Sequence, residues 1–361
     1  MESPLVDVTI AVHSATRPVA RAVASVIEGT TAPVRVTVVA HNIDQEIIRA
    51  NLGTWAEHPA VRLLSLRDGI PSPAGPMNLG MAEATARFHA LLGSDDEFAP
   101  GAIDSWLALQ RATSAEVVIG RIRLITGGPD PYPPVRGGRR TTGLSADRDR
   151  LHYRSAPLGL VDRERFGKLR LTEGLISGED LPYSSELWMT AKSIAYDLYG
   201  PPYIVHDDAE DRVTSAPRDV AADFAFLRVI EEADWFAKAS AADRRSLAVK
   251  LLRIHFFDAV AARLDTPGIA AVAAELLAVV DRVSAWAPGV LSVLSIADRR
   301  VIDELRRGTP DPERTRALLG RRWIYLSPAA QLPRNPFLAL HRHAPFRTLA
   351  AGARSQRVGQ L

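Results

Sequence analysis

The chain of 361 residues contains no cysteine, which excludes disulfides and thiolate metal sites and suits a reducing compartment. No apolar run approaches the ~20 residues that span a bilayer. The N-terminal stretch from Met1 to Asp7 lacks the basic start and long apolar core of a signal peptide, so a cytoplasmic location is expected. A net charge of +2 is too small to argue for nucleic acid as a partner. One shortage is local: from Arg321 to the end there are seven arginines and no acidic residue. With sparse aromatic anchors, that end reads as a solvated, partly ordered tail; peripheral contact with an anionic membrane surface is the alternative.

What is present is ordinary in bulk and informative in order. Hydrophobic residues at 47% and charged residues at 24% describe a soluble globular chain, long enough for one large or two domains. Residues 6–12 (Val-Asp-Val-Thr-Ile-Ala-Val) predict a buried strand. A polar turn follows at 13–18, then a helix from 19 to the C-cap glycine Gly29. Strands at 34–40 and 61–66 alternate with helices at 43–55 and 76–86. A helix at 102–112 and a strand at 116–125 continue the pattern. Alternation of this kind gives an α/β architecture with a mostly parallel, Rossmann-like sheet and right-handed crossovers. Segment 127–149 is rich in Pro and Gly and carries Arg136, Arg139, Arg140 and Arg148. It reads equally as a lid that closes over a ligand or as a disordered insertion. Helical spacing returns at 221–237, 241–264, 269–285 and 292–307, with Leu247, Leu251, Ile254 and Phe257 on one face. The expected division is therefore 1–217, a helical domain over 218–320, and a basic, extended tail over 321–361, with the first boundary near Ser215–Arg218.

Three places carry chemistry. The apolar run Ala90-Leu91-Leu92 stops at Ser94, Asp95, Asp96 and Glu97, delivering carboxylates to the end of a strand, where open α/β sheets bind ligands. Hard cations such as Mg²⁺ take oxygen ligands of this type; taken alone, the acids read more simply as a capped turn. Gly178 allows a tight turn before Glu179 and Asp180, a pair that alone need only complement a helix dipole. His206 ends a third apolar run and is either an imidazole ligand or a satisfied surface residue, followed by the solvated acids Asp207, Asp208, Glu210 and Asp211.

In combination, these segments resemble the family-two inverting glycosyltransferases with the A-type nucleotide-sugar fold, over roughly residues 5–215. The strand, polar turn and helix of residues 8–26 resemble the family's opening. Gly75-Pro-Met-Asn78-Leu-Gly80 resembles its Asn-x-Gly helix. Leu91-Leu-Gly-Ser-Asp95-Asp96 resembles its Asp-x-Asp-Asp segment, and Gly178-Glu179-Asp180 its Glu-Asp motif. Two departures stand out: Gly93 falls where the family carries its first motif aspartate, and His41-Asn42 replace the aspartates that read the base. Met77 stands in place of the arginine that precedes the helix Asn, with Arg139 or Arg140 as substitute phosphate contacts.

The resemblance implies transfer of a sugar from a nucleotide diphosphate sugar to a glycan, lipid-linked or small-molecule acceptor. Asp180 would be the general base, with Glu179 orienting substrate. The donor would lie on His13, Ser14, Arg17, Asn42, Asp68, Asn78 and Asp95. Mg²⁺ or Mn²⁺ would rest on Asp95, Asp96 and His206. The helical domain would shape the acceptor site or a homo-oligomer contact. Two rival readings are a sugar nucleotidyltransferase, disfavoured because the first turn lacks glycine, and a non-catalytic nucleotide-sugar-binding protein, disfavoured by Asp180.

Overall fold

β-Branched residues decide the first layer. In the computed structural model, which describes residues 3–125, 127, 130–208 and 218–359, strands form at β1 (Val6–Val12), β2 (Val34–His41), β3 (Val61–Leu66) and β4 (Phe88–Gly93). Helices α1 (Val19–Ile27), α2 (Gln45–Leu52) and α3 (Ala74–Ala82) connect them, and the pairings β1–β2, β2–β3 and β1–β4 are all parallel. The chain moves outward from β1 to β2 and β3, then returns to place β4 on the other side of β1. This reversal opens a crevice at the C-terminal ends of β1 and β4.

The expected single strand over 116–125 divides. After the short β5 (Glu97–Phe98) and helix α4 (Ala102–Thr113), β6 (Val117–Gly120) stays in the main sheet while β7 (Ile122–Leu124) leaves it. Then follow β8 (Gly159–Asp162), helices α5 (Arg163–Phe166) and α6 (Asp180–Thr190), β9 (Ile194–Asp197) and β10 (Tyr203–Val205). The main sheet has seven strands in the order β3-β2-β1-β4-β8-β6-β9, with β8 antiparallel to both neighbours. A three-stranded sheet, β5-β10-β7, brings β10 against the acidic turn after β4. Val23, Ile48 and Trp106 of α1, α2 and α4 cover one face of the main sheet. Met81 of α3 and Leu187 and Trp188 of α6 cover the other.

The helical region begins with α7 (Val220–Asp223), α8 (Phe226–Glu232), α9 (Asp234–Lys238) and α10 (Ala241–Leu251), and a π-helical turn (Leu252–Phe256) leads into α11 (Phe257–Ala262). Helices α12 (Ile269–Trp286), α13 (Ile296–Leu305) and α14 (Pro312–Arg322) complete its core. Leu175 and Leu181 of the sheet unit belong to that same core, so the two parts share an apolar seam. The sequence boundary near 217, and the acids Glu210 and Asp211, lie outside the described residues.

Two expectations need correction. The C-terminal end is not an extended tail: α15 (Pro328–Gln331) and α16 (Pro345–Gly359) form, and buried Ser355 donates to the carbonyl of Gly138. The described residues of segment 127–149 are not a disordered insertion: they are anchored, and none of them lines the cleft described below. Buried Asp149 accepts from Arg136 Nε and Nη2 (2.9 and 2.8 Å) and from the Ser145 N–H, while Val135, Leu144 and Ala146 enter the core. Asp147 pairs with His343 at 2.8 Å, tying the segment to the chain's end. The docking of the chain's end was not legible because it depends on contacts between residues about two hundred positions apart.

Burial also sets an acid limit on stability. His89, bonded to Tyr183 at 2.9 Å, and His152 are fully enclosed, and burial pushes each down to about 3 from an ordinary 6.5. The unfolded chain binds these protons first, so this stability is complete above pH 6.5 and is lost as pH falls toward 3. We expect urea midpoints to fall across that window, and His89→Gln to flatten the fall; an unchanged pH dependence in the variant would contradict this.

Candidate active site

The C-terminal ends of β1 and β4, the N-terminus of α6 and the helical region enclose a cleft of about 580 Å³. The sheet contributes His13, Asn42 and Asp95, the turn before α6 contributes Glu179 and Asp180, and the helical region contributes Arg218, Phe226 and His255.

The Glu179–Asp180 corner is built by its neighbours. Gly178 has φ +74°, and a Cβ there would lie 2.7 Å from the Phe226 ring, so both backbone and packing require glycine. Asn78, expected at the donor, is instead buried: its amide donates to the Leu171 carbonyl (2.9 Å) and Glu173 Oε1 (2.8 Å) and accepts from the Leu171 N–H. The neighbouring Thr172 N–H then holds the Glu179 carbonyl at 3.0 Å. Asn78 is thus a positioning residue for the acidic corner, not a lining residue of the cleft.

Protein packs closely around both carboxylates. Burial, then the charge of Asp180, pushes Glu179 up to about 7, with Arg218 opposing. Burial raises Asp180 as well, while Lys250 pulls it back down. Lys250 is itself enclosed in the helical core, and burial lowers it to about 7 against the pull of Asp180. Its Nζ donates to His255 Nε2 at 2.5 Å, and burial keeps that imidazole neutral. Two adjacent carboxylates do not both ionise comfortably. Lys250 favours charge on Asp180, which leaves the proton with Glu179. Lys250, His255 and Arg218 were missed in the sequence because no motif marks them. The readable signal is a lysine and a histidine set within the apolar run from Leu247 to Phe257.

The opposite wall is organised around Asn42, whose φ of +55° is a left-handed conformation that Asn tolerates. Its Oδ1 accepts from the Asp68 and Gly69 N–H groups (3.1 and 2.9 Å), and its Nδ2 donates to Asp68 Oδ1 (3.2 Å). His41 Nε2 reaches the same Asp68 oxygen at 2.9 Å. Asp68 and the Asn42 amide shape the 68–70 turn, at the cleft wall that Asn42 lines. Ser14 bonds to Thr16 and Arg17 to Asp95, and neither lines the cleft.

Residues 7–170 match the model of Glycosyl transferase family 2. This stretch, a little under half of the chain, is a glycosyl transferase family 2 domain. The match favours the glycosyltransferase reading over the nucleotidyltransferase one. No curated protein matches the sequence. Among solved structures, S. aureus TarS 1-349 in complex with UDP-GlcNAc is similar at a TM-score of 0.68 and 16% identity, over 89% of this chain and 93% of that one. The complex of the same TarS fragment with UDP gives 0.63 at 16% identity, with the same coverage. A longer TarS chain gives 0.62 at 17% identity, covering 87% of this chain and 55% of that one. At these identities the likeness shows the fold, including the C-terminal helical region.

At Gly93, where the sequence resemblance would place a carboxylate, a side chain would enter only if Asp96 shifted. A Cβ on Gly93 would meet Asp96 Oδ2 at 2.6 Å and the Tyr203 hydroxyl at 3.2 Å. Tyr203 of β10 donates to Asp96 (2.5 Å) and accepts from the Gly93 N–H (2.9 Å), while the His206 N–H donates to Asp96 Oδ1 (3.1 Å). The His206 ring pairs with Glu97 at 3.1 Å. The trio Asp95, Asp96 and His206 therefore does not converge, and no cluster of three metal-ligating side chains forms among the described residues. Asp95 alone of the three lines the cleft; Arg139 and Arg140 do not line it either. Gly93→Asp should thus fail to create a metal ligand. It should cost about 1–3 kcal/mol of stability by overpacking, read from a denaturant midpoint; an unchanged midpoint would contradict the clash.

Proposed function

We propose that this chain transfers a sugar from a nucleotide diphosphate sugar to an acceptor hydroxyl in one inverting displacement. The observation that carries the reading is the single cleft that sets Asp180, its charge favoured by buried Lys250, across from Asp95 and His13 at the strand ends. The UDP-GlcNAc and UDP complexes of TarS, which shares this fold, support a donor of that class. In the reaction the acceptor oxygen forms a bond to the anomeric carbon as the bond to the diphosphate breaks. Asp180 takes the acceptor's proton, and the electron pair leaves with the diphosphate. Protonated Glu179 donates a hydrogen bond that orients the sugar or acceptor. Arg218, the arginine lining the cleft, meets the charge on the leaving diphosphate.

Mg²⁺ or Mn²⁺ remains part of the proposal as an ion carried largely by the donor's phosphates, with Asp95 as its cleft-facing carboxylate. When bound, it would neutralise charge on the diphosphate.

Release of nucleoside diphosphate from a panel of sugar nucleotides tests the activity. Arg218→Ala should raise the donor KM about ten- to hundredfold, the value of a charge-assisted contact. An unchanged KM would remove Arg218 from the donor site.

A further inference from the structure

A second cavity, of about 620 Å³, lies apart from the cleft and is lined by six arginines: Arg136, Arg148, Arg150, Arg342, Arg347 and Arg354. No carboxylate lines it. Asp149 and Asp147 pair with Arg136 and Arg342 behind it, so four positive charges stand in excess. So many like charges around one void repel each other, although Arg136 and Arg150 are also held by Asp149 and by the carbonyl of Arg342. The remaining lining is partly apolar and open: Leu340 is 72% and Phe346 50% exposed at the rim. Phe337, 92% exposed, precedes them in the same segment. More than half of the large hydrophobic side chains exposed among the described residues lie between Trp323 and Leu349. The end of the chain that has seven arginines and no acid is thus also the end that leaves apolar side chains in water.

We propose that this face docks on an anionic phospholipid surface, with the arginine cavity taking lipid phosphates and Leu340, Phe337 and Phe346 entering the headgroup layer. Arginine forks bind phosphate oxygens in pairs, and basic residues interleaved with Phe and Leu are the chemistry of interfacial binding. A soluble anion would need the arginines alone and would leave the apolar rim unexplained. Arg150 lines this cavity and Ser155 lines the catalytic cleft, so at most about 18 Å of extended backbone separates the two.

Co-sedimentation of the full chain tests this without any donor. Vesicles of phosphatidylcholine with about one-third phosphatidylglycerol should bind the protein, pure phosphatidylcholine should not, and high salt should weaken binding. Arg148→Glu with Arg354→Glu should reduce the bound fraction at least about tenfold while donor turnover and circular dichroism stay unchanged. Phe337→Ser with Leu340→Ser should reduce binding at unchanged charge. No binding to anionic vesicles overturns the proposal. Binding of inorganic tripolyphosphate without vesicle binding overturns it in favour of a soluble anion site. Self-association that the serine variant abolishes, again without vesicle binding, overturns it in favour of a second copy of the chain.

Discussion

Asp180→Asn is expected to lower kcat by about 10²–10⁴-fold while leaving donor affinity nearly unchanged. Asparagine keeps the size of the side chain and an acceptor oxygen, yet it does not take up a proton at neutral pH. The acceptor hydroxyl then has to attack still protonated, and its proton has nowhere to go as the new bond forms. On the proposed reading the donor's phosphates and base would lie toward Arg218 and the strand ends, so a nucleoside diphosphate titrated by calorimetry should bind the variant as it binds the parent. Glu179→Gln should be milder, because it keeps a hydrogen-bond donor where the protonated acid stood. Normal turnover by Asp180→Asn would show that the base lies elsewhere in the cleft.

Lys250→Met should separate activity from stability. Lys250 is enclosed and counters the burial that raises Asp180. Removing the cation raises the Asp180 pKa further. A base works only when deprotonated, so below that pKa each unit costs up to tenfold in rate. As pH falls, the pair takes its first proton with Glu179 near 7, and the second, on Asp180, stops the reaction at lower pH. In the variant this acidic limb should move upward, with a loss of about 10–100-fold at pH 6 that recovers at higher pH. Stability should respond with its own sign. A lysine lowered from 10.5 to about 7 leaves the native state binding fewer protons than the unfolded chain across that window. The parent's stability therefore rises with pH from about 7 to 10.5, and the methionine variant should lose that rise. A parallel drop in activity at every pH would instead mean that Lys250 acts only through folding.

The strands were legible because buried parallel strands write themselves as short β-branched runs. Residues 6–12 and 34–40 became β1 and β2 nearly to the residue. The acidic corner was legible too, since Gly178 marks its turn and α6 follows at once. Roles within the cleft were harder to read. Asn42 and Asn78 carry the amides expected on a donor, but both bond within the protein, one to Asp68 and the backbone of a turn, the other to Leu171 and Glu173 more than ninety residues away. Gly93 looked like a lost ligand until Asp96 and Tyr203 were seen to fill its place. The cleft's second wall was invisible because Arg218 and His255 reach it only through the helical region's tertiary packing. The C-terminal end misled for the same reason: its arginines looked solvated, yet Arg322 pairs with buried Asp298 and His343 is buried against Asp147.

The anomeric configuration of the first-formed product, read by proton NMR before mutarotation, bears most directly on the proposed reaction. One base on one face of the sugar, and no enzyme nucleophile, predicts a product inverted relative to the donor. A product that retains the donor's configuration would require a second displacement and would contradict the role given to Asp180.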